Sequence, residues 1–360
     1  MLKSAKRGAL HALNRLGVFP RVRDSTWRRA QLLILCYHGI ALDDEHKWDS
    51  SLYMSAQDFE SRLRLIEQGG HTVLPLGLAL DRLYSNTLPE RSVAITFDDG
   101  TYDFMRQAYP LLQKYGFPAT VYLTTYYCEN NRPVFPGFCS YLLWKARDTV
   151  IDAAPITGET ERWDLRTESG RARAQRSMLR FADESQLGTP GKTELLEQLA
   201  GALGLDYAAL VATRVVHILT PNEVSVLARN GVDFQLHTHR HRTPIDQQLF
   251  RKEIEDNRRS LSDAGQRALH FCYPSGVYWQ EFLPWLRTEK VLSATTCDAG
   301  LASVESNPLL LPRLVDTSAR TPIEFEGWLT GVGALLAFRK TAPRIVPAAA
   351  GHASQVADQP

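Results

Sequence analysis

The stretch Thr96-Phe97-Asp98-Asp99-Gly100 follows an apolar, strand-like run, Val93-Ala94-Ile95. Neighbouring side chains of a strand point to opposite faces of the sheet, so two adjacent aspartates share one site only where the strand has ended. The glycine that follows them predicts such a turn. Two carboxylates held close together need a cation or hydrogen bonds to stay ionised. The stretch therefore predicts a metal site at the end of a strand, if nitrogen ligands occur elsewhere.

Nitrogen ligands occur in His237-Thr238-His239-Arg240-His241, which follows a second short apolar run, Phe234-Gln235-Leu236. Histidines four residues apart lie on one face of a helical turn, so His237 and His241 are expected to hold the same ion. With Asp99 they form a set of two histidines and one carboxylate, which leaves coordination positions open for water and substrate. Each motif alone is as typical of a solvated acidic turn or a polar helix start, whereas the two together favour a metal centre.

Strand-like runs alternate with helical stretches from Gln31 onwards, and a capping box with proline in the first turn opens a helix at Thr220. Such alternation predicts an α/β fold with a parallel sheet covered by helices. Eight strands with candidate ligands at several carboxyl ends predict a barrel with its site at that end. The predicted strands lie near residues 31–37, 71–74, 92–97, 117–124, 233–236, 268–273, 291–296 and 309–315.

Residues 129–214 interrupt the alternation with a long run of helix formers, which predicts a helical insertion at the rim of the site. Its first part contains four aromatic residues that either line a sugar groove or form the insertion's own core: Phe135, Phe138, Tyr141 and Trp144. Residues 339–360 are rich in alanine and proline and are predicted to be a disordered tail.

Residues 1–30 contain eight lysines and arginines against one acid, Asp24, with apolar residues at helical spacing. Two interpretations are open, a helix lying on an anionic membrane face and a helix packed on the outside of the barrel. We favour the packed helix, because the apolar face is mostly alanine.

The net charge of +1 gives no indication of a nucleic-acid partner. Five cysteines without CxxC spacing predict neither a disulfide framework nor a zinc knuckle, and they favour a reducing compartment. The apolar run after Arg28-Arg29 is short and lacks a small-residue cleavage site, so no secretory signal is expected. No stretch is apolar enough to span a bilayer. We therefore expect a cytoplasmic protein, with docking at the inner membrane face through residues 1–30 as an extension of this view.

The two motifs resemble the first two motifs of the polysaccharide deacetylases (the NodB-homology, carbohydrate esterase family 4 enzymes). A third segment, Phe271-Cys272-Tyr273-Pro274-Ser275-Gly276, resembles the tyrosine–proline–x–glycine form of the third motif. The similarity covers about residues 31 to 320 apart from the insertion. It implies a distorted (β/α) barrel of seven to eight strands, formed by residues 31–128 and 215–338.

The resemblance also implies roles for individual residues. Asp99, His237 and His241 would hold a divalent metal, most often zinc in this family, although the ligand types also suit cobalt, nickel or iron. Asp98 would be the general base and Thr238 would orient the turn between the histidines. In the family, the metal and a backbone amide of the third motif stabilise the oxyanion. Here that amide would belong to Ser275, in the motif that begins at Tyr273.

The sequence departs from the family pattern at two places. The late leucine-x-x-histidine motif that usually supplies the general acid is missing, and His38, after the first strand, is the replacement we expect. A similar Tyr-His occurs in the poly-N-acetylglucosamine deacetylases, whose histidine there is the acid; the alternative is a structural histidine at a strand end. The arginine that usually braces the catalytic aspartate is replaced by Cys272, and Arg313 is expected to supply the positive charge from another direction.

The function implied is that of a metal-dependent polysaccharide N-deacetylase, a hydrolase of linear amides that removes N-acetyl groups from amino sugars. Its partner would be an N-acetylated exopolysaccharide or cell-envelope glycan, with a role in exopolysaccharide biosynthesis. Two alternatives remain open: hydrolysis of another amide, such as a cyclic imide or ureide, on the same fold, and a non-catalytic glycan-binding relative.

Overall fold

The computed structural model describes residues 2–336, and the predicted tail, residues 339–360, lies outside the described residues. Two compact units make up the described chain. The first contains residues 2–129 and 219–336, and the second is Asn130–Ile218. The second unit begins one residue after, and ends four residues after, the insertion expected at 129–214.

The strands of the described chain are β1 Leu33–Tyr37, β2 Gly39–Ile40, β3 Tyr53–Met54, β4 Thr72–Val73, β5 Ser92–Phe97, β6 Thr120–Leu123, β7 Val150–Asp152, β8 Arg162–Asp164, β9 Asp233–Leu236, β10 His270–Cys272, β11 Ser293–Thr295 and β12 Leu314–Val315. The helices are α1 Leu2–Arg15, α2 Val18–Arg23, α3 Thr26–Arg29, α4 Glu45–Trp48, α5 Ala56–Gln68, α6 Leu76–Tyr84, α7 Tyr109–Tyr115, α8 Tyr126–Asn130, α9 Phe135–Lys145, α10 Ala154–Thr157, α11 Glu168–Glu184, α12 Thr189–Ala202, α13 Tyr207–Ala212, α14 Pro221–Arg229, α15 Gln247–Asp263, α16 Phe282–Thr288, α17 Pro322–Thr330 and α18 Val332–Leu335.

The main sheet of the first unit has the order β11-β10-β9-β6-β5-β1-β12, and β4 pairs with β5. All of these pairs are parallel. The two ends of the sheet approach each other, because Leu311 exchanges backbone hydrogen bonds with Ala294 and Thr296 at β11, and the chain then continues into β12. The predicted distorted (β/α) barrel is therefore confirmed.

The strands at the centre of the sheet are buried on both faces, which explains their continuous apolar sequences. Every residue of β1 and of β5 is buried, from Leu33 to Tyr37 and from Ser92 to Phe97. Parallel sheets covered by helices on their outer face have this pattern rather than an alternating one. Each strand that was predicted from such a run is present at its predicted place.

The N-terminal segment packs against the end of the barrel chain. Leu10 of α1 and Phe19 of α2 are buried in one cluster with Ile323 and Val332. Part of the apolar side of this segment is thus occupied by protein contacts, in agreement with the packed-helix interpretation, while Leu16 is exposed. Among residues 2–336, no helix has the length and the apolar character that crossing a bilayer requires.

The second unit has a core of its own. Helix α9 carries the aromatic cluster expected at the start of the insertion, and all four rings are buried. Phe138 packs against Tyr207 and His217, and Tyr141 stacks on Trp144. These contacts agree with the core-packing alternative, because buried rings have no face left for a sugar.

Candidate metal centre and active site

The candidate site lies in the first unit, where parallel strands end. His38 follows β1, Asp98 and Asp99 follow β5, the motif with His237 follows β9, and Ser275 follows β10. The carboxyl ends of parallel strands meet at one edge of the sheet, so residues distant in sequence reach one another there.

The three expected metal ligands converge on one point. The Nε2 atoms of His237 and His241 each lie 3.2 Å from Oδ1 of Asp99. The three residues form a group whose ligand atoms lie within 4.8 Å of one another. Ligands at the usual zinc–nitrogen and zinc–oxygen distances in a tetrahedron are about 3.3 Å apart. The spacing therefore fits three ligands around one small divalent ion.

Two further observations support this fit. Oδ1 of Asp99 is buried and accepts no hydrogen bond of standard geometry from any residue that the structure describes. Nδ1 of His237 lies 2.9 Å from the carbonyl oxygen of Cys272, to which it donates. The proton of the neutral ring is then on Nδ1, which leaves the Nε2 lone pair available for a metal. The donor set therefore has the chemistry that a divalent cation requires.

The prediction that a helical turn aligns the two histidines is wrong. Residues 237–241 form a loop after β9, and Thr238 and His241 have positive φ angles of 61° and 53°. Two left-handed residues bend the chain back on itself, so that the centroids of the His237 and His241 rings lie 4.9 Å apart. Oγ1 of Thr238 accepts a hydrogen bond from the backbone N–H of Arg242 at 3.0 Å, so Thr238 closes this loop.

The two aspartates also depend on left-handed backbone. Asp99 has a φ of 68° and Gly100 a φ of 76°. A Cβ built on Gly100 would lie 2.3 Å from Cδ1 of Leu123. Only glycine satisfies both the conformation and the space at this position.

Asp98 forms a buried, two-point ion pair with Arg313. Nη1 and Nη2 of Arg313 lie 2.7 and 2.8 Å from Oδ1 and Oδ2 of Asp98. Nε of Arg313 donates to the carbonyl oxygen of Thr296 at 2.9 Å, which fixes the guanidinium. Burial alone raises the pKa of Asp98, but the charge of Arg313 outweighs it and holds the pKa below its usual range.

Two buried thiols that the sequence reading did not assign to the site also contact Asp98. The Sγ atoms of Cys36 and Cys272 each lie 3.4 Å from Oδ2. Burial raises the pKa of both thiols well above the ordinary value, so they are neutral donors to the carboxylate. Cys36 is two residues before His38 and Cys272 lies in the third motif, which are the only signals that the sequence offered.

His38 lies near the same carboxylate. Its Nε2 lies 3.9 Å from Oδ2 of Asp98, and the side chain is partly exposed. The candidate acid and the candidate base are therefore neighbours, beyond hydrogen-bond distance.

The third motif contributes backbone rather than the tyrosine side chain. Ser275 is exposed and has a φ of 56°. The ring of Tyr273 is buried, and its hydroxyl donates to the carbonyl oxygen of Leu309 at 3.0 Å. Tyr273 anchors the turn on which Ser275 is presented.

Comparison with known proteins gives three findings. A family model described as polysaccharide deacetylase matches residues 85–293. The protein YxkH of Bacillus subtilis (strain 168), which is named after the polysaccharide deacetylases, is 34% identical over 99 residues; the match covers 27% of this chain and 33% of that protein. The chain thus spans about a third of the length of this curated relative.

Among solved structures, the deacetylase PplD of Streptococcus pyogenes, in complex with acetate, has 20% identity and a TM-score of 0.53 over 81% of this chain and 95% of that one. IcaB from Ammonifex degensii has 16% identity and a TM-score of 0.50 over 85% and 98%. At these identities the likeness concerns the fold. The family match is more specific, since it spans more than half of the chain and includes both the aspartate motif after β5 and the histidine motif after β9. The chain belongs to the polysaccharide deacetylase family.

Proposed function

We propose that this protein is a metal-dependent hydrolase that removes N-acetyl groups from amino sugars of an oligo- or polysaccharide. The observation that carries the proposal is the convergence of Asp99, His237 and His241 at 3.2 Å, beside the ion pair of Asp98 and Arg313. Family membership supports a deacetylase, and this geometry supports the metal.

Asp99, His237 and His241 would hold the ion. Zinc is the metal we favour, and cobalt, nickel or iron suit the same ligands. When bound, a divalent ion lowers the pKa of water and polarises a carbonyl oxygen.

Asp98 is the proposed general base. Hydrolysis of an acetamide requires that the attacking water lose a proton as its oxygen bonds to the carbonyl carbon. Arg313 keeps Asp98 ionised, so the carboxylate is available to accept that proton. The two thiols on Oδ2 restrict its orientation further.

His38 is the proposed general acid. The carbon–nitrogen bond breaks when the departing amine receives a proton, and His38 lies within 4 Å of Asp98 at the open side of the site. The exposed backbone at Ser275 is the proposed donor to the oxyanion that develops on the carbonyl oxygen.

The proposed substrate is an exopolysaccharide or cell-envelope glycan that bears N-acetylated sugars. The family supports a glycan, whereas contact with a membrane through residues 1–30, and the cytoplasmic side as the place of action, stay proposals from the sequence. Leu10 and Phe19 are buried against protein, so such a contact would use the basic side chains together with the exposed Leu16 and Trp27.

Acetate release from chito-oligosaccharides, measured beside the metal content of the purified protein, tests the proposal. We expect about one ion per chain, acetate release that a chelator abolishes, and recovery when zinc is restored. Asp99→Asn should lose both metal and activity, whereas Asp98→Asn should keep the metal and lose turnover. A chain without metal that releases no acetate would refute the proposal.

The same assay separates the alternatives. Metal-dependent hydrolysis of a cyclic imide or ureide, with no acetate from chito-oligosaccharides, would indicate another amide as substrate. Glycan binding that is insensitive to chelator and releases no acetate would indicate a non-catalytic relative.

His38→Ala gives the sharpest test of the acid. We expect turnover to fall by about 100-fold or more, because general acid catalysis contributes about that factor. The metal content should be unchanged, since His38 is not among the proposed ligands. His11→Ala, an exposed histidine on α1, is the matched control and should retain full activity. A full rate for His38→Ala would end the assignment.

A further inference from the structure

We infer that two buried residues on one face of α15, Glu253 and Asn257, are positioning residues that preset the geometry of the metal-ligating loop 237–241. The inference rests on the metal site proposed above. It concerns how this chain builds the site before an ion arrives.

Asn257 holds the first histidine ligand through its backbone. Its Oδ1 accepts a hydrogen bond from the N–H of His237 at 2.9 Å. Its Nδ2 donates to the carbonyl oxygen of Leu123 at 2.9 Å and to Oγ1 of Thr125 at 3.1 Å. The side chain is fully buried, so a group that both accepts and donates is required there.

Glu253 holds the second half of the loop. Its Oε2 accepts from the N–H of Arg240 at 2.8 Å, and its Oε1 lies 3.2 Å from Nη1 of Arg240 and 2.7 Å from Nε of Arg242. Its own backbone carbonyl accepts from the N–H of His239 at 3.2 Å. The carboxylate is 1% exposed, and the two guanidinium groups compensate its charge.

The loop needs these partners because it is not helical. With Thr238 and His241 in left-handed conformation, its N–H groups do not find the regular acceptors that a helix would provide. The N–H groups of His237, His239 and Arg240 all donate to α15 instead. A buried N–H that loses its acceptor destabilises the conformation that buries it, so these bonds select one loop conformation.

The same contacts tie the histidines to the third ligand. Thr125, which accepts from Asn257, also lies 2.8 Å from Nδ1 of His239. Its neighbour Thr124 donates its backbone N–H to the carbonyl oxygen of Asp99 at 3.2 Å. Asn257 thus joins the loop after β9 to the end of β6, which itself holds Asp99. These contacts therefore connect the loop that carries both histidines to the strand end beside Asp99, whose Oδ1 lies 3.2 Å from each histidine Nε2.

Two isosteric substitutions test this role. Asn257→Asp keeps the acceptor but removes the donor, and Glu253→Gln removes the charge shared by the two arginines. We expect the dissociation constant for zinc, measured by competition with a chromophoric chelator, to rise by about 10- to 100-fold, as for other groups that orient metal ligands. Glu255→Gln on the exposed face of α15 and Asn230→Asp at the end of α14 are the matched controls, and they should bind zinc like the parent protein.

A second measurement needs neither metal nor activity. In the chelator-treated full-length protein, we expect the amide protons of His237 and Arg240 to exchange slowly with solvent, and to lose that protection in the two variants. Amides of the central strands should stay protected, which separates loop disorder from global unfolding. Should Asn257→Asp fail to fold, Thr125→Val removes one partner of Nδ2 and leaves the bond to His237 in place; its zinc affinity should fall by a smaller factor.

The outcomes distinguish this inference from the function on which it rests. A parent protein that binds no zinc would overturn both. Normal zinc binding in the parent together with unchanged affinity and unchanged amide protection in Asn257→Asp and Glu253→Gln would overturn the inference alone.

Discussion

The carboxylate of Asp98 is buried with both oxygens on the guanidinium of Arg313. Such a pair gives weak net stability, because both charges lose their hydration when they are buried. Removing one partner is a different matter, since the other charge then remains buried without compensation. The pair keeps a buried carboxylate ionised, which is the state that the proposed role of Asp98 as general base requires.

We expect Arg313→Met to lower the free energy of unfolding by about 3–5 kcal/mol, because Asp98 is left buried and unpaired. The double variant with Asp98→Asn should recover much of this loss, since neither charge remains, while acetate release stays abolished. Urea denaturation and the acetate assay give the two quantities. An Arg313→Met protein as stable as the parent would show that water replaces the guanidinium and that the pair is not required.

A second residue-scale prediction concerns Gly100. Gly100→Ala should reduce the free energy of unfolding by at least about 1 kcal/mol, because alanine disfavours a φ of 76° and its Cβ would meet Leu123. Gly8→Ala on α1 is the control, with nothing within 4 Å of its Cβ; it should be neutral or stabilising by up to about 1 kcal/mol. Thermal unfolding of both variants measures the difference, and equal melting temperatures would contradict the role given to the turn.

Candidate site residues could be recognised in the sequence where the proposed chemistry requires particular residue types. Asp98, Asp99, His237 and His241 stand out because few other roles require those types at strand ends. The left-handed conformation of Thr238 and His241 could not be predicted, since threonine rarely adopts it and histidine, although enriched there, adopts it in only a minority of cases. The thiols of Cys36 and Cys272 were missed for a related reason, because a buried cysteine gives the same pattern whether or not a carboxylate lies beside it.

At the scale of elements, strands were easier to predict than helices. The continuous apolar runs of the buried strands mark their positions, and β5 is predicted to the residue. The helical stretch after the aspartate motif is not regular, since it contains a π-helical turn, Phe104–Ala108, before α7. Pro110 explains the irregularity, because it has no N–H to donate and its ring crowds the preceding turn.

The free energy of unfolding is expected to depend on pH through His71, the residue that precedes β4. His71 is 9% exposed, and burial together with the nearby charge of Arg28 lowers its pKa to about 4. In the unfolded chain His71 therefore binds a proton as the pH falls through about 6.5, whereas in the folded protein it does so only at about pH 4. The stability due to the neutral ring is complete above about pH 6.5 and is lost as the pH falls towards 4.

We expect His71→Asn to remove this dependence, because asparagine does not titrate and its amide replaces the Nδ1 contact to the carbonyl oxygen of Arg91. The loss of unfolding free energy between pH 7 and pH 4.5 should shrink by up to about 3 kcal/mol relative to the parent. His11→Asn, at an exposed position, should leave the loss unchanged. Urea denaturation at the two pH values measures it, and parallel curves for parent and His71→Asn would contradict the assignment.

At the scale of the whole molecule, the second unit begins and ends at neighbouring points. The N–H of Val134 donates to the carbonyl oxygen of Val216 at 2.9 Å, and Pro133 bridges to His217. An insertion whose ends lie close together can be accommodated without rearranging the chain that carries it. Its limits were predictable within a few residues, because the strand–helix alternation stops and resumes there. The sequence could not decide whether its aromatic residues line a sugar groove or form a core, since both have the same sequence signature.

We expect a chain in which residues 134–216 are replaced by a short glycine linker to fold. It should show the circular dichroism of an α/β protein and unfold in one cooperative transition, because the core of the barrel lies within the first unit. Equilibrium denaturation beside the full-length protein tests this. A soluble product without a cooperative transition, or an aggregate, would show that the two units depend on each other for folding.

The pairing of β1 with β12 has a consequence for biosynthesis. Within the main sheet, the strand that leads to His38 is synthesised first, and β12, which follows Arg313, is synthesised last. A nascent chain that has not yet delivered Arg313 carries Asp98 without its cation and β1 with an open edge, which is a surface prone to association with other chains. The proposed centre therefore cannot form until residue 313 has been translated, and a premature stop before that residue should yield an inactive chain that is prone to aggregate.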